Sequence, residues 1–117
     1  MAKTSRVSIG ITVEGDGETG TYVPPTSPIT NATAPQGGPI AYALSAGNNV
    51  ITIPTGAIGV IIVPAATNGN AKTLKGVAGD TGVALRTNAP SVISFATGST
   101  VFSINATGTE TVDLHWF

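Results

Sequence analysis

Asp113 and His115 are the residues that come nearest to catalytic chemistry in this sequence. His115 is the single histidine, and a spacing of two residues on a β-strand places both side chains on one face, about 7 Å apart. Such a pair needs a nucleophilic serine to form a hydrolase triad, and no serine lies in a Gly-x-Ser-x-Gly turn. We therefore interpret the pair as the polar outer face of a strand and predict that the protein is not an enzyme.

Three acidic residues, Glu14, Asp16 and Glu18, alternate with glycines and could offer oxygen ligands to Ca²⁺. Their spacing differs from that of an EF-hand loop, and three carboxylates do not complete a calcium coordination shell. The absence of cysteine excludes disulfides and thiolate ligands. We interpret the acidic segment as a solvated turn, and we predict no metal site and no cofactor.

Lys72, Lys75 and Asp80 flank a glycine-rich segment at residues 75–82 that invites comparison with a phosphate-binding loop. Such a loop has the order Gly-x-x-x-x-Gly-Lys-Ser/Thr and opens a helix, and this sequence shows neither feature. We interpret the glycines as residues that supply positive φ angles in a tight connection. We expect Asp80 to hydrogen-bond the backbone that follows it.

Tyr22, Tyr42 and Trp116 are the aromatic side chains with polar tips, and such side chains could stack on a sugar. Each of them alternates with apolar neighbours, so we expect all three to be buried. The sequence therefore gives little support to a carbohydrate site.

The elements that must position these residues are organised around residues 48–64, the densest apolar segment of the chain. Residues 50–53 are rich in β-branched side chains, and residues 58–63 form a nearly unbroken apolar run. A turn at Pro54-Thr55-Gly56 separates them, which predicts two strands, the second covered on both faces. The run is too short to span a membrane, which needs about 20 apolar residues.

Residues 40–117 contain short strands at intervals of about 8–12 residues, with a turn signal at nearly every break. No segment shows the apolar period of a helix. Residues 111–117 form an alternating strand that ends on Trp116 and Phe117, and we expect this end to be fixed within a sheet. The pattern predicts one all-β domain, either a sandwich or a barrel.

Residues 1–39 differ in composition from the rest. Apolar residues alternate over residues 7–13, and residues 20–23 suggest a short extended piece. Five of the eight prolines fall between residues 24 and 39, where a central strand is excluded because proline lacks the ladder donor. We predict an extended N-terminal arm at 1–39, with residues 7–13 as an arm or edge strand and the proline-rich stretch as a surface connection, before the domain at 40–117.

Charged residues make up 9% of the chain, and the formal net charge is −1. The five basic residues are scattered, which excludes the clustered charge of a nucleic-acid site. A surface so poor in charge is weakly protected against association, which predicts a homo-oligomer. No continuous apolar segment follows the first basic residues, so we do not expect secretion by the general route.

Residues 44–57 read Leu-Ser-Ala-Gly-Asn-Asn-Val-Ile-Thr-Ile-Pro-Thr-Gly-Ala, and residues 74–82 read Leu-Lys-Gly-Val-Ala-Gly-Asp-Thr-Gly. These two segments resemble small virion proteins of tailed bacteriophages. The likeness extends over residues 40–117. It implies an antiparallel β-sandwich of jelly-roll type that decorates a phage head or joins a tail, and it carries no catalytic or binding residues.

We therefore expect a non-enzymatic structural protein of the virion, made in the host cytoplasm, specifically a capsid decoration or cement subunit that stabilises the head. Its expected partners are copies of itself, for example in a trimer, and other virion proteins such as the major capsid protein. The arm would attach to a neighbour by adding a strand to an exposed sheet edge. We expect neither nucleic acid nor membrane as a partner. The alternatives are a carbohydrate- or receptor-binding module and a tail or neck accessory protein.

Overall fold

The computed structural model describes residues 3–8, 11–15, 17–22, 29–35, 38–66, 69–96 and 98–117. This part of the chain contains twelve β-strands and no helix, which confirms the predicted all-β class. In chain order the strands are β1 (Lys3–Val7), β2 (Ile11–Gly15), β3 (Glu18–Tyr22), β4 (Ile29–Ala34), β5 (Ile40–Leu44), β6 (Gly47–Thr52), β7 (Gly59–Val63), β8 (Lys72–Lys75), β9 (Val83–Leu85), β10 (Ser91–Ser94), β11 (Val101–Ala106) and β12 (Glu110–Trp116). No helix of the described residues has the length and apolar character needed to cross a membrane.

Residues 40–117, called the body below, form two four-stranded antiparallel sheets. The first sheet has the strand order β10-β7-β12-β5, and the second has the order β6-β11-β8-β9. Successive residues of a strand face opposite sides, so every second side chain of each sheet enters the space between the two. The predicted antiparallel β-sandwich is confirmed.

The strands of the body pair in a nested order. The first strand, β5, lies beside the last, β12, while β6 pairs with β11, β7 with β10, and β8 with β9. Followed inward from both ends of the body, the eight strands therefore form four antiparallel pairs that together make one long two-stranded ribbon. Further pairing of β12 with β7 and of β11 with β8 divides the ribbon between the two sheets. Residues far apart in the sequence therefore meet at both ends of the sandwich.

The core between the sheets is mainly aliphatic, with an aromatic cluster on one side. Phe95, Phe102 and Trp116 lie with ring centroids 5.7–6.3 Å apart. Each fully buried aliphatic or aromatic side chain stabilises the fold by about 1.5–3 kcal/mol relative to its exposed state. The buried core cluster consists of Leu44, Ile51, Ile53, Val60, Ile62, Phe102, Ile104, Ala106, Val112 and Leu114.

The apolar run in β7 differs from its prediction. Val60 and Ile62 are buried, whereas Ile61 and Val63 are only half-buried. The expectation that this strand is covered on both faces is therefore wrong, because its second face belongs to the outer surface of the sandwich in the described part of the chain. An apolar run does not distinguish these two situations.

The predicted turn between β6 and β7 is confirmed. The amide of Ala57 donates to the carbonyl oxygen of Pro54 at 3.0 Å, and Gly56 has a φ angle of +89°. A positive φ at the third position of a turn identifies type II, which favours glycine there. The predicted fixation of the last residues is confirmed as well, since Phe117 is buried and exchanges backbone hydrogen bonds with Gly59.

The described part of residues 1–39, which are predicted to be an extended arm and are called the arm below, contains four strands rather than one. β1 pairs with β4, and β2 forms a hairpin with β3 around Gly17, which has a φ angle of +78°. The predicted continuous strand at residues 7–13 is therefore wrong, because β1 ends at Val7 and β2 begins at Ile11. The hairpin supplies the local partner that the sequence pattern did not reveal.

The interpretation of residues 24–39 as a connection without a strand is also corrected. β4 occupies Ile29–Ala34, between Pro28 and Pro35, and contains no proline itself. It pairs along one side only, in a two-stranded sheet, which agrees with the exclusion of a central strand. Within the described residues, no backbone ladder joins the arm strands to the two sheets of the body.

Candidate functional site

The structure places Asp113 and His115 on the outer face of the first sheet. They alternate along β12 with buried Val112 and Leu114, and Asp113 is exposed while His115 is half-buried. No hydrogen bond or ion pair links the two side chains in the described part of the chain.

The register shows what surrounds the pair. Asp113 lies opposite Ala41 and Val63, and His115 lies opposite Ile61. None of these neighbours carries a nucleophile, so the arrangement lacks the third member of a hydrolase triad.

We expect Asp113→Ala and His115→Ala, singly or together, to leave any binding function intact. Exposed substitutions change the free energy of unfolding by less than about 0.5 kcal/mol, and the half-buried His115 should cost slightly more. Urea unfolding and a particle-binding assay check this result. A loss of function with an unchanged unfolding transition would contradict it and revive a catalytic role.

The acidic segment forms the β2–β3 hairpin. Glu14 pairs with Thr19 and Gly15 pairs with Glu18, so Glu14 and Glu18 occupy neighbouring strands. Asp16 lies outside the described residues. In the part of the chain that the structure describes, no group of three or more acidic or histidine side chains could hold a metal ion. The hairpin turn accounts for Gly17, which has a φ angle of +78°.

Lys72 does not lie beside an open loop as the glycine-rich pattern suggested. It begins β8 in the second sheet, and its Nζ contacts both carboxylate oxygens of Glu110, at 2.8 and 3.0 Å. Glu110 begins β12 in the first sheet, and both side chains are only 1% exposed. The ion pair therefore joins the two sheets across one end of the sandwich, and Lys72 has no access to an external anion.

The carboxylate of Glu110 also fixes the connection between β7 and β8. It accepts the amide of Asn70 at 2.7 Å and the amide of Ala65 at 3.0 Å. Burial alone would raise the pKa of Glu110, but hydrogen bonds from Lys72, Asn70 and Ala65 and the Lys72 charge outweigh it, and the pKa lies below its ordinary value. Glu110 is therefore a buried carboxylate that binds Lys72 of the other sheet and the connection between β7 and β8.

Of the remaining charged residues of this segment, Lys75 ends β8 and is half-buried, and Asp80 lies in the exposed loop that follows. Asp80 accepts the amide of Val77 at 2.9 Å, so its side chain bonds the preceding backbone and not the following one as predicted. Gly82 has a φ angle of +76°, which confirms a positive φ angle for one of the glycines. This arrangement closes a turn and offers no phosphate cradle.

The aromatic candidates of the body pack against the core. Tyr42 and Trp116 are half-buried, and the Tyr42 hydroxyl donates to the carbonyl oxygen of Val50 at 3.3 Å. The side chain of Tyr22 lies outside what the structure describes. A flat aromatic platform for a sugar is therefore not formed by Tyr42 or Trp116.

Each outer face of the sandwich carries exposed apolar side chains. On the second sheet Val50 is 62% exposed, and it lies diagonally next to Val101 because their opposite residues are Ser103 and Thr52. On the first sheet Val92, which is 48% exposed, lies opposite Ile61. Single exposed apolar side chains are common on protein surfaces, whereas large contiguous apolar patches mark contacts with other proteins.

A shallow groove of about 380 Å³ opens at the end of the sandwich opposite the ion pair. Its walls are the β6–β7 and β10–β11 connections, which are joined by hydrogen bonds from Ile53 to Thr100 and from Phe95 to Ile58. The described lining residues carry no charge. At one wall, Asn31 of β4 donates from Nδ2 to the carbonyl oxygen of Gly56 at 2.7 Å.

This contact makes the groove the place where the arm meets the body. Asn31 is 6% exposed, so its amide is held in a largely desolvated position. Sequence reasoning missed both Asn31 and Glu110, because a single asparagine or glutamate gives no sign of a partner that lies 25 or 45 residues away. No family model, no curated protein and no solved structure matches this chain.

Proposed function

We propose that this chain is a non-enzymatic structural protein of a tailed-phage virion, specifically a capsid decoration or cement subunit that stabilises the head. The observation that carries the proposal is the nested pairing of the eight body strands. We interpret the pairing of first strand with last, second with second to last, and so on inward, as that of a jelly roll, an architecture of viral capsid and lectin domains. The resemblance of residues 44–57 and 74–82 to virion proteins supports the first of these two classes.

The surface supports a role in assembly. Only 9% of the residues are charged, and exposed valines lie on both outer faces. Such a surface costs little to desolvate when another protein covers it. Copies of the chain and the major capsid protein are the partners that this proposal names.

The proposal also gives the arm a role. A two-stranded sheet is marginally stable by itself in water, and the β1–β4 and β2–β3 pairs are both two-stranded. Free edges of these pairs could add to a sheet of a neighbouring protein. We therefore propose residues 1–39 as the part that attaches the subunit.

Deleting residues 1–39 is expected to leave a soluble β domain that no longer incorporates into particles. The body sheets should survive, because none of their described strands pairs with an arm strand. Far-UV circular dichroism and urea unfolding report on the fold, and co-sedimentation with phage heads that lack the protein reports on binding.

The matched control is the full-length chain with Asp113→Ala, which should bind heads like the natural sequence. Full occupancy by the truncated chain would contradict the arm as attachment segment. A truncated chain that fails to fold would show that the arm supports its own body, and attachment would then belong to the outer faces. A glycan array distinguishes the carbohydrate-binding alternative from the proposed decoration role. The alternative predicts that the protein binds specific glycans in the absence of phage heads.

A further inference from the structure

β5 forms one margin of the first sheet, and its outer side has no partner strand in the described part of the chain. Its register with β12 is continuous, and its sequence Ile-Ala-Tyr-Ala-Leu holds neither a charge nor a proline. Natural proteins protect exposed sheet edges with charged residues, prolines, bulges or very short strands. An edge that lacks these features is a template on which another strand can pair.

The hydrogen bonds of β12 show which backbone groups of β5 are open. Phe117 and Gly59 exchange two backbone hydrogen bonds, so in the alternating ladder the odd-numbered residues of β12 bind β7 and the even-numbered ones bind β5. The register places these opposite the even-numbered residues of β5. Ala41 and Ala43 therefore direct their amides and carbonyls away from the sheet, and both residues are exposed.

Open amides along this edge are limited to the two alanines in the described part of the chain. When the alternation is continued towards the N-terminus, the next residue is Pro39, which has no amide hydrogen. Towards the C-terminus the next residue is Ser45, whose amide already donates to Oδ1 of Asn49 at 2.9 Å. The unpaired donors are therefore centred on Tyr42.

We propose that β5 is a dimerisation edge, at which a second copy of this chain adds its own β5 in antiparallel orientation about a two-fold axis at Tyr42. Ala41 of each copy then lies opposite Ala43 of the other, and each such pair exchanges two backbone hydrogen bonds. A shift to either side would bring Pro39 or the occupied amide of Ser45 into the ladder. The donors and acceptors of the edge thus fit a second copy in this one register.

The side chains also favour this register. On the outer face only the methyl groups of alanines meet, and these do not obstruct the approach of another strand. On the inner face Ile40, which is 48% exposed, comes opposite Leu44 of the second copy. Apolar cross-strand pairs of this kind stabilise a sheet.

Within the described residues, the other sheet edges of the body fit a second copy less well. On β6 the carbonyl oxygen of Val50 already accepts the hydroxyl of Tyr42 at 3.3 Å, and β9 has only 3 residues. β10 is open, but a two-fold axis at Ile93 would pair Val92 with Ser94 and would gain less apolar contact.

Charges placed at positions 41 and 43 test the register, because position 41 of one copy lies opposite position 43 of the other. The first variant, Ala41→Lys with Ala43→Lys, sets like charges opposite each other, and the second, Ala41→Lys with Ala43→Glu, sets opposite charges there. Sedimentation equilibrium at low salt should show dimers for the natural chain and for the second variant. The first variant should dimerise about tenfold more weakly than the second, and added salt should reduce this difference.

Both variants carry the same change opposite Asp113 of their own chain, so they differ only at position 43. The matched control places two lysines on the other open edge of the same sheet, as Val92→Lys with Ser94→Lys, and it should dimerise like the natural chain. Far-UV circular dichroism verifies that each variant retains its β structure.

A natural chain that stays monomeric at high micromolar concentration would overturn the proposal, and so would a β10 control that dimerises as weakly as the first variant. Equal dimerisation of the two β5 variants would overturn it too, because the edge would then not face a second β5 in this register. The inference concerns the isolated protein, and its outcome is independent of binding to phage heads.

Discussion

Replacing Glu110 by alanine is expected to lower the free energy of unfolding by about 3–5 kcal/mol, the usual cost of breaking a buried ion pair. The substitution leaves the ammonium of Lys72 in a site where it is 1% exposed. It also removes the acceptor for the amides of Ala65 and Asn70, which lie on the connection between β7 and β8. Urea unfolding followed by tryptophan fluorescence measures the change, since the half-buried Trp116 packs against the core cluster of the same sandwich.

A second variant, Lys72→Met combined with Glu110→Leu, removes both members of the ion pair. Replacing both members of a buried pair by apolar residues of similar size is often close to neutral, because no charge is left unpaired. We therefore expect the double variant to be more stable than Glu110→Ala alone. Asp113→Ala, which removes an exposed carboxylate from the same strand, should cost less than about 0.5 kcal/mol. A loss below about 1 kcal/mol in Glu110→Ala would contradict the ion pair as an anchor between the sheets.

The pH dependence of stability follows from the lowered pKa of Glu110. Because the folded pKa lies below the unfolded one, the unfolded state binds the proton more readily. The contribution of the carboxylate is therefore complete above the unfolded pKa and is lost as the pH falls through the folded pKa. The stability difference between the natural chain and Glu110→Gln should stay constant from neutral pH down to the unfolded pKa and should shrink as the pH falls further.

The body was largely predictable from its sequence because its strands are bounded by strong local signals. Gly56 marks the β6–β7 turn, and prolines or glycines precede most of the later strands. Strand existence was therefore clear for residues 40–117. The pairing partner of each strand could not be predicted, because nested pairing joins strands such as β5 and β12, whose residues lie about 70 positions apart.

The arm was harder to predict for a physical reason. Its strands pair only in twos in the described part of the chain, so no second layer imposes an alternating pattern on them. β4 has a single large apolar residue, Ile29, and its pairing with β1 depends on backbone hydrogen bonds that any residue except proline can make. Because Pro28 and Pro35 lie on either side of β4, its six residues looked like part of a proline-rich connection.

The buried polar contacts were invisible for another reason. Lysine and glutamate are almost always exposed unless they are paired, so Lys72 and Glu110 look like surface residues in the sequence. Only the meeting of β8 and β12 at one end of the sandwich brings their charges together. The aromatic candidates of the body were predicted correctly only in part. Their apolar neighbours indicated that Tyr42 and Trp116 pack against the core, which they do, but both side chains are half-buried and not buried as expected.

Gly59 and Phe117 form the second pair for which we expect large effects. A Cβ atom on Gly59 would overlap the ring of Phe117 and lie 2.6 Å from the carbonyl oxygen of Ile93. Gly59→Ala should therefore lower the free energy of unfolding by about 1–3 kcal/mol through overpacking. Phe117→Ala removes a ring that is 4% exposed and should cost about 3–5 kcal/mol.

The combination of both substitutions shows whether the two residues share one space. With the ring removed, two of the three nearest atoms are gone and the added methyl group still meets the Ile93 carbonyl, so the double variant should lose less than the sum of the single losses, by about 0.5–3 kcal/mol. Gly79→Ala is the matched control, because a Cβ atom there has nothing within 4 Å. It should change stability by less than about 0.5 kcal/mol. Strict additivity of Gly59→Ala and Phe117→Ala in urea unfolding would mean that the ring does not occupy the space beside Gly59, and that the backbone bonds of Phe117 alone fix this end of β12.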